Sequence, residues 1–345
     1  MSLKEVLGIE LPIIQAPMAG VQGSALAVAV SNAGGLGSLP GAMLSIKALC
    51  DELSVIKSQT DRPYNVNFFC HEIPEENQKA EMVWRNALSP FYKAYGVDPD
   101  MVPAGSSRIP FNSETAEILE EFKPPVVSFH FGLPSEELLL QVKSFGAKVM
   151  SSATTVEEAL WLEEYGADII IAQGVEAGGH RGMFLSHDLN SQLGTFALLP
   201  QIVQAVNIPV VAAGGIAEAN GIGAAMGLGA SGVQLGTAFL LCDEALTSKV
   251  HRATLESESA KHTALTNIFT GRPARAIVNL AMKELGPIHY GIPEFPLAAG
   301  AITPLRTIME AQGSGDFSPL WAGQNVTGCK AISAAELTCE LASQL

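Results

Sequence analysis

The sequence predicts an α/β protein: a closed (β/α)8 TIM barrel with a smaller cap, or substrate, domain formed by insertions. Three observations carry that reading. Eight short apolar runs are continuous rather than alternating, helical stretches lie between them, and from the fourth run onward a strand starts about every 20–24 residues, apart from one gap of about 40. Strands covered by helices on both faces read as unbroken apolar runs, and a repeat of that length is one β-α unit of a parallel fold. Eight such units favour closure over an open doubly wound sheet.

The candidate strands are residues 12–16, 36–39, 64–68, 126–129, 148–151, 168–172, 209–213 and 232–235. Residues 24–33 read as a helix stopped by Gly34-Gly35, the usual C-terminal signal. Thr154-Thr155 ahead of Val156, Glu157 and Glu158 opens another, with a hydroxyl cap and early acids that suit the helix dipole. The stretch Gly227 to Gly232 matches GxGxxG, but it leaves a helix and enters a strand. A dinucleotide fingerprint does the reverse, so this one reads as a tight turn. Two regions break the rhythm, 70–124 and 261–345. Long insertions into barrel loops are usually functional; these two are expected to join as a cap over a barrel made of 1–69 and 125–260.

Composition narrows the function. The 345 residues carry 20 Lys plus Arg against 35 Asp plus Glu, a net charge of −15, which argues against a nucleic-acid partner because phosphates demand a basic face. With 48% hydrophobic and 16% charged residues there is material for a large core, and global disorder is excluded. Cys50, Cys70, Cys242, Cys329 and Cys339 form no CxxC pair and no zinc spacing; they read as reduced thiols of a cytoplasmic protein, with no metal site. Between Asp188 and Asp243 the only charge is Glu218, yet Pro200, Pro209 and many glycines interrupt the run, so a buried core is expected rather than a membrane span. The N-terminal MSLKEVLGIELPII lacks a signal-peptide apolar region.

In a barrel, chemistry gathers at the C-terminal ends of the strands. The first ends in Ala16-Pro17-Met18, a rigid turn with a polarisable side chain that either simply ends the strand or lies under a flat ring. Asn67 ends the third among apolar and aromatic neighbours; a buried amide needs partners, from loop backbone or from a ligand. The sixth ends at Gln173 and runs on through Gly178-Gly179-His180-Arg181-Gly182. Its glycines let backbone approach a ligand, and an imidazole with an ordinary pKa of about 6.5 is suited to removing a proton near neutrality, the alternative being a structural histidine in a polar loop. Gly214-Gly215 follow the seventh strand, and Gln234-Leu235-Gly236-Thr237 end the eighth. Backbone N–H groups there can hold a phosphate without any lysine. His130 ends the fourth strand between phenylalanines, as a satisfied core group or as part of the site.

Together these stretches resemble the nitronate monooxygenase family, formerly 2-nitropropane dioxygenases. The motifs are Gln15-Ala16-Pro17-Met18, Asn65 to Phe68, Ser128-Phe129-His130-Phe131-Gly132-Leu133-Pro134, Gln173 to Gly182 and Gln234 to Thr237. The Ser-Phe-His-Phe-Gly-Leu-Pro stretch is similar to the family's first class, which does not rely on a nicotinamide reductant. The resemblance implies FMN as cofactor, with Ala16, Pro17 and Met18 against the isoalloxazine, Asn67, Gln173, Gly178, Gly214 and Gly215 in contact with FMN, and Gln234, Leu235, Gly236 and Thr237 on its phosphate side. His180 matches the catalytic histidine. The implied reaction is oxidative denitrification, a nitronate and O2 giving a carbonyl compound and nitrite, with small aliphatic nitronates including propionate 3-nitronate as substrates. His130, Tyr290 and Arg306 are candidate substrate contacts, and Arg108 lies in the first cap segment.

Two other readings share these residues. An FMN-dependent enoyl-acyl-carrier-protein reductase or NADH:quinone reductase also carries a Gly-Gly-His loop. A non-catalytic flavin- or phosphate-ligand-binding barrel would have no need of His180 at a cofactor face.

Overall fold

The computed structural model describes residues 3–103 and 108–345. Its strands are β1 (Ile13–Gln15), β2 (Gly37–Pro40), β3 (Tyr64–Phe69), β4 (Val126–His130), β5 (Lys148–Ala153), β6 (Ile169–Gln173), β7 (Gly179–His180), β8 (Val210–Ala213), β9 (Gly232–Leu235), β10 (Thr263–Thr266) and β11 (Ala274–Ile277). Eight of these make one parallel sheet in the order β1-β9-β8-β6-β5-β4-β3-β2. The ring closes where Ile14 bridges Leu36 in parallel, with Gln15 N donating to Leu36 O and Leu36 N to Ile13 O, both at 2.9 Å. Each of the eight expected runs falls on one of these strands, its ends displaced by two residues at most.

The period of two along a strand sorts its side chains between two cores. Ile13, Ile170, Val210, Ala212 and Val233 pack outward against the helices. Ile14, Ile169, Ile171, Val211 and Ala213 fill the barrel interior, where Leu3 and Leu7 of the first helix, Leu3–Leu7, join them. Both faces are apolar, which is why the runs show no alternation in sequence. The helix Ser24–Asn32 is followed by Gly34 at φ +92°, as its double glycine requires. Thr155 caps Val156–Glu164 by accepting from Glu158 N, while the buried Glu158 carboxylate accepts from Thr154 N at 2.6 Å and Thr154 Oγ1 at 2.7 Å. Gly227 to Gly232 links the helix Ala219–Gly227 to β9, the turn expected of it.

The two interrupting segments pack against each other. Helix Gln78–Tyr95 packs Trp84, Leu88 and Tyr92 against Ala298, Ala301, Ile302 and Leu305 of the helix Ala299–Ala311 and the residue before it. Trp84 Nε1 donates to Ala298 O at 2.9 Å and Tyr92 OH to Ala301 O at 2.6 Å, so neither polar atom is buried unpaired. Helix Ser113–Phe122, by contrast, contributes Ala116 and Leu119 to a barrel core with Phe68 and Phe129. β11 pairs antiparallel with both β10 and β7, setting Ala274 opposite His180 and Arg275 opposite Gly179. This small sheet is what fixes the loop after β6.

Candidate active site

One cavity opens at the C-terminal end of the barrel. Ala16, Pro17 and Met18 enter it from β1, Asn67 from β3, His130 from β4, and Gln173, Gly178 and His180 from β6 and its loop. Gly214 and Gly215 follow from β8, and Gln234, Leu235, Gly236 and Thr237 from β9. Two expected contacts are not brought there. Tyr290 is 88% exposed, in the irregular stretch beyond helix Leu280–Leu285. Arg306 lines a second, adjoining chamber, and its Nε donates to Glu310 Oε1 at 2.8 Å.

His180 is held from several sides. Its Nε2 lies 2.9 Å from Thr270 Oγ1, and its carbonyl accepts from Gln173 Nε2 at 3.0 Å and faces His130 Nε2 at 3.1 Å. Gln173 Oε1 in turn accepts from Gly182 N at 2.7 Å. The next residue, Arg181, is wholly buried and donates to Gln192 Oε1, Gly174 O and Gln173 O at 2.6–2.9 Å. An interior guanidinium is stable only when its donors are met, and here meeting them ties the loop back to the end of β6. Aromatic rings wall the imidazole: Phe295 and Trp321 have ring centroids 5.2 and 5.3 Å away, with Phe131 and Phe69 at 6.1 and 6.4 Å. Phe131 takes a left-handed backbone at φ 72°, costing on the order of 1–3 kcal/mol; the Arg272 guanidinium stacks on its ring at 3.9 Å.

The electrostatics are one-sided. Burial, and then the positive Arg108 with His130, Arg272 and His71 around it, hold the His180 imidazole well below its ordinary pKa of 6.5. His130 is pushed down to about 3, chiefly by burial. Both rings are therefore neutral at physiological pH, and Arg108 carries the positive charge of the cavity. No carboxylate among the described residues lines it.

The far corner is built of backbone. Gly214 and Gly215 stand at φ 112° and 74°, a geometry open mainly to glycine, and a β-carbon at Gly214 would lie 3.0 Å from Ala177 N. Thr237 Oγ1 accepts from Gly323 N at 2.9 Å, leaving the hydroxyl proton free to donate. Gln234 Oε1 is buried without a partner, and Asn67 spends its Nδ2 on Ser128 O and Oγ at 3.2 and 3.0 Å. The floor thus offers unspent acceptors and the corner unspent donors, the arrangement expected of a ligand site. Among the lining residues that escaped the sequence reading are Phe69, His251 and Met43, and Thr270 beside His180 escaped it too. Thr270 sits in a turn some ninety residues from its partner, and no sequence period links the two.

The barrel and the chemistry gathered at its mouth define the class: an α/β-barrel enzyme whose site is assembled from the βα loops. A family profile described as nitronate monooxygenase matches residues 1–344. The chain is 40% identical to the nitronate monooxygenase of Paraburkholderia phytofirmans, covering 100% of this chain and 94% of that protein. It is also 40% identical to that of Pseudomonas aeruginosa, covering 99% and 97%. Among solved structures it is similar to a nitroalkane oxidase from Streptomyces ansochromogenes, at TM-score 0.89 and 37% identity over 100% of this chain and 98% of that one. FabK from Thermotoga maritima follows at TM-score 0.75 and 26% identity, covering 100% and 96%. The protein belongs to the nitronate monooxygenase family.

Proposed function

We propose that the protein binds FMN and oxidises alkyl nitronates with O2 to a carbonyl compound and nitrite, small aliphatic nitronates including propionate 3-nitronate being the substrates. The observation that carries this reading is a cavity that no carboxylate among the described residues lines, in which a neutral His180 faces Thr270 and Arg108 supplies positive charge. In a chain of net charge −15, such a pocket favours an anion locally against the field of the whole.

The residues present fit the cofactor. Gly214, Gly215, Gly236 and Thr237 would hold its phosphate side by backbone N–H groups and one hydroxyl. Ala16, Pro17 and Met18 would flank the ring; Gln234, expected on the phosphate side, instead offers a buried, unpartnered Oε1, an acceptor that suits the ring's N–H and not a phosphate. A β-carbon at Gly236 would lie 3.4 Å from Ala16 Cβ and 3.7 Å from Met18 Sδ, so glycine keeps that gap open. When bound, the flavin supplies the electron acceptance that no side chain offers. His180, neutral through burial, takes the proton from the carbon bearing a neutral nitro group, and Arg108 stabilises the anion that results. Phe69, Phe131, Phe295 and Trp321 give the imidazole apolar neighbours.

The test is spectroscopic. The purified protein carries a yellow FMN chromophore, ethyl nitronate bleaches it anaerobically while NADH does not, and aerobic turnover releases nitrite. Bleaching by NADH alone would instead identify an FMN-dependent enoyl-acyl-carrier-protein or quinone reductase. A protein that neither holds nor takes up FMN would remove both.

A further inference from the structure

Resting on the nitronate reading, we propose that the second chamber is a tail site, in which Arg306 grips the distal carboxylate of a nitronate carried on a chain longer than three carbons, while Arg108 stays with the anion at the reacting end.

Three observations place a tail there. The chambers adjoin, since Met43 and Arg108 line both, and Thr270 lines the second while its hydroxyl lies 2.9 Å from His180 Nε2 in the first. The side chains of Met43, Arg108 and Thr270 are thus the boundary that a substrate with its reactive carbon at His180 would pass. Donors in the second chamber are also unspent. Arg108 is half-buried, stacks its guanidinium on Phe295 at 5.4 Å, and has no carboxylate partner among the described residues. Arg306 is ion-paired with Glu310 through Nε alone, at 2.8 Å, which leaves its terminal nitrogens, the half of the fork best matched to a carboxylate, for a ligand. Arg306 also depresses the Arg108 pKa, second to burial, so the two cations sense one another. The walls, finally, suit methylenes: Phe68, Phe269, Ile302 and Phe317 are all buried or nearly so. The one carboxylate lining this chamber is Glu114, exposed in the first turn of helix Ser113–Phe122.

This arrangement answers a physical problem. A nitronate with a second carboxylate is a dianion, and it approaches a protein of net charge −15. Exposed Arg306, paired on one side with Glu310, then half-buried Arg108 and His180 lead inward, with no carboxylate among the described residues lining the inner cavity to repel such a substrate.

The experiment compares two nitronates of equal length, from 6-nitrohexanoate and 1-nitrohexane, in the native enzyme, Arg306→Gln and Arg306→Lys. The native ratio of kcat/KM, acid over alkane, is expected well above one. It falls roughly ten- to a hundredfold in Arg306→Gln, the usual effect of losing a charge-assisted hydrogen bond, and recovers in part in Arg306→Lys. A native ratio near one, or a ratio unchanged in Arg306→Gln, would overturn the proposal. A second readout needs no turnover: hexanedioate, an unreactive dianion, binds the native protein in equilibrium dialysis with an affinity that salt weakens, and binds Arg306→Gln at least tenfold less tightly. Equal binding to both proteins, or to neither, would also overturn it. If no nitronate releases nitrite while hexanedioate still binds through Arg306, the proposed activity fails and the anion site stands.

Discussion

At His180 the loop, the small sheet and the aromatic wall each fix a different degree of freedom. Pairing with Ala274 sets the backbone, Thr270 sets the ring orientation, and burial beside Arg108 sets the charge. Because the folded imidazole protonates only below its ordinary 6.5, it is a base already free at neutral pH. His180→Asn retains an amide able to bond Thr270 but offers no proton acceptor. Turnover of a neutral nitroalkane should fall about 10²–10⁴-fold with FMN still bound, while that of a preformed nitronate falls less, because no proton need be removed. The same reasoning fixes a pH limb. For the neutral nitroalkane, the acid-side decline of kcat/KM in the native enzyme lies below pH 6.5; steady-state rates from pH 5 to 8 check it, and a decline centred above 6.5 would contradict the burial argument.

Among the elements, what was legible followed from periodicity. Eight apolar runs located the barrel, and the barrel turned strand ends into an address: residues as distant as Ala16 and Thr237 reach one cavity because both follow strands of the ring. Where no period exists, the reading thinned. β7 is two residues long and β11 lies more than ninety residues further on, so their pairing left no trace in local sequence. Tyr290 and Arg306 sit in the same kind of territory, and nothing but tertiary packing decides that one is exposed and the other lines a chamber. The cap helices carry their own prediction. Trp84 is fully buried between helix Gln78–Tyr95 and helix Ala299–Ala311 and donates to Ala298 O. Trp84→Ala should cost about 3–5 kcal/mol in urea unfolding. Met82→Ala, at a position 59% exposed on the same helix, should stay within about 0.5 kcal/mol of the native protein.

For the molecule as a whole, acid stability is set by its buried histidines. His71, His130, His180 and His251 are all held below 6.5, in each case chiefly by burial, His130 to about 3 and His251 to about 4. Unfolded, each takes up a proton near pH 6.5; folded, each does so only at lower pH. The unfolded chain therefore binds more protons throughout this interval, and stability falls as pH falls. The contribution is whole above pH 6.5, declines by up to about 1.4 kcal/mol per pH unit for each histidine, and stops changing below the folded pKa. Relief of the −15 charge acts in the opposite direction, but it waits for carboxylates that titrate near pH 4. Between pH 6.5 and 5 these four histidines therefore lower the urea-unfolding free energy as pH falls. His251→Gln tests the assignment without depending on the variant's absolute stability. His251 is 5% exposed with Nε2 unpartnered, so replacing it should make the slope of unfolding free energy against pH shallower by up to about 1.4 kcal/mol per unit. An unchanged slope would mean that His251 is charged or solvated in the fold.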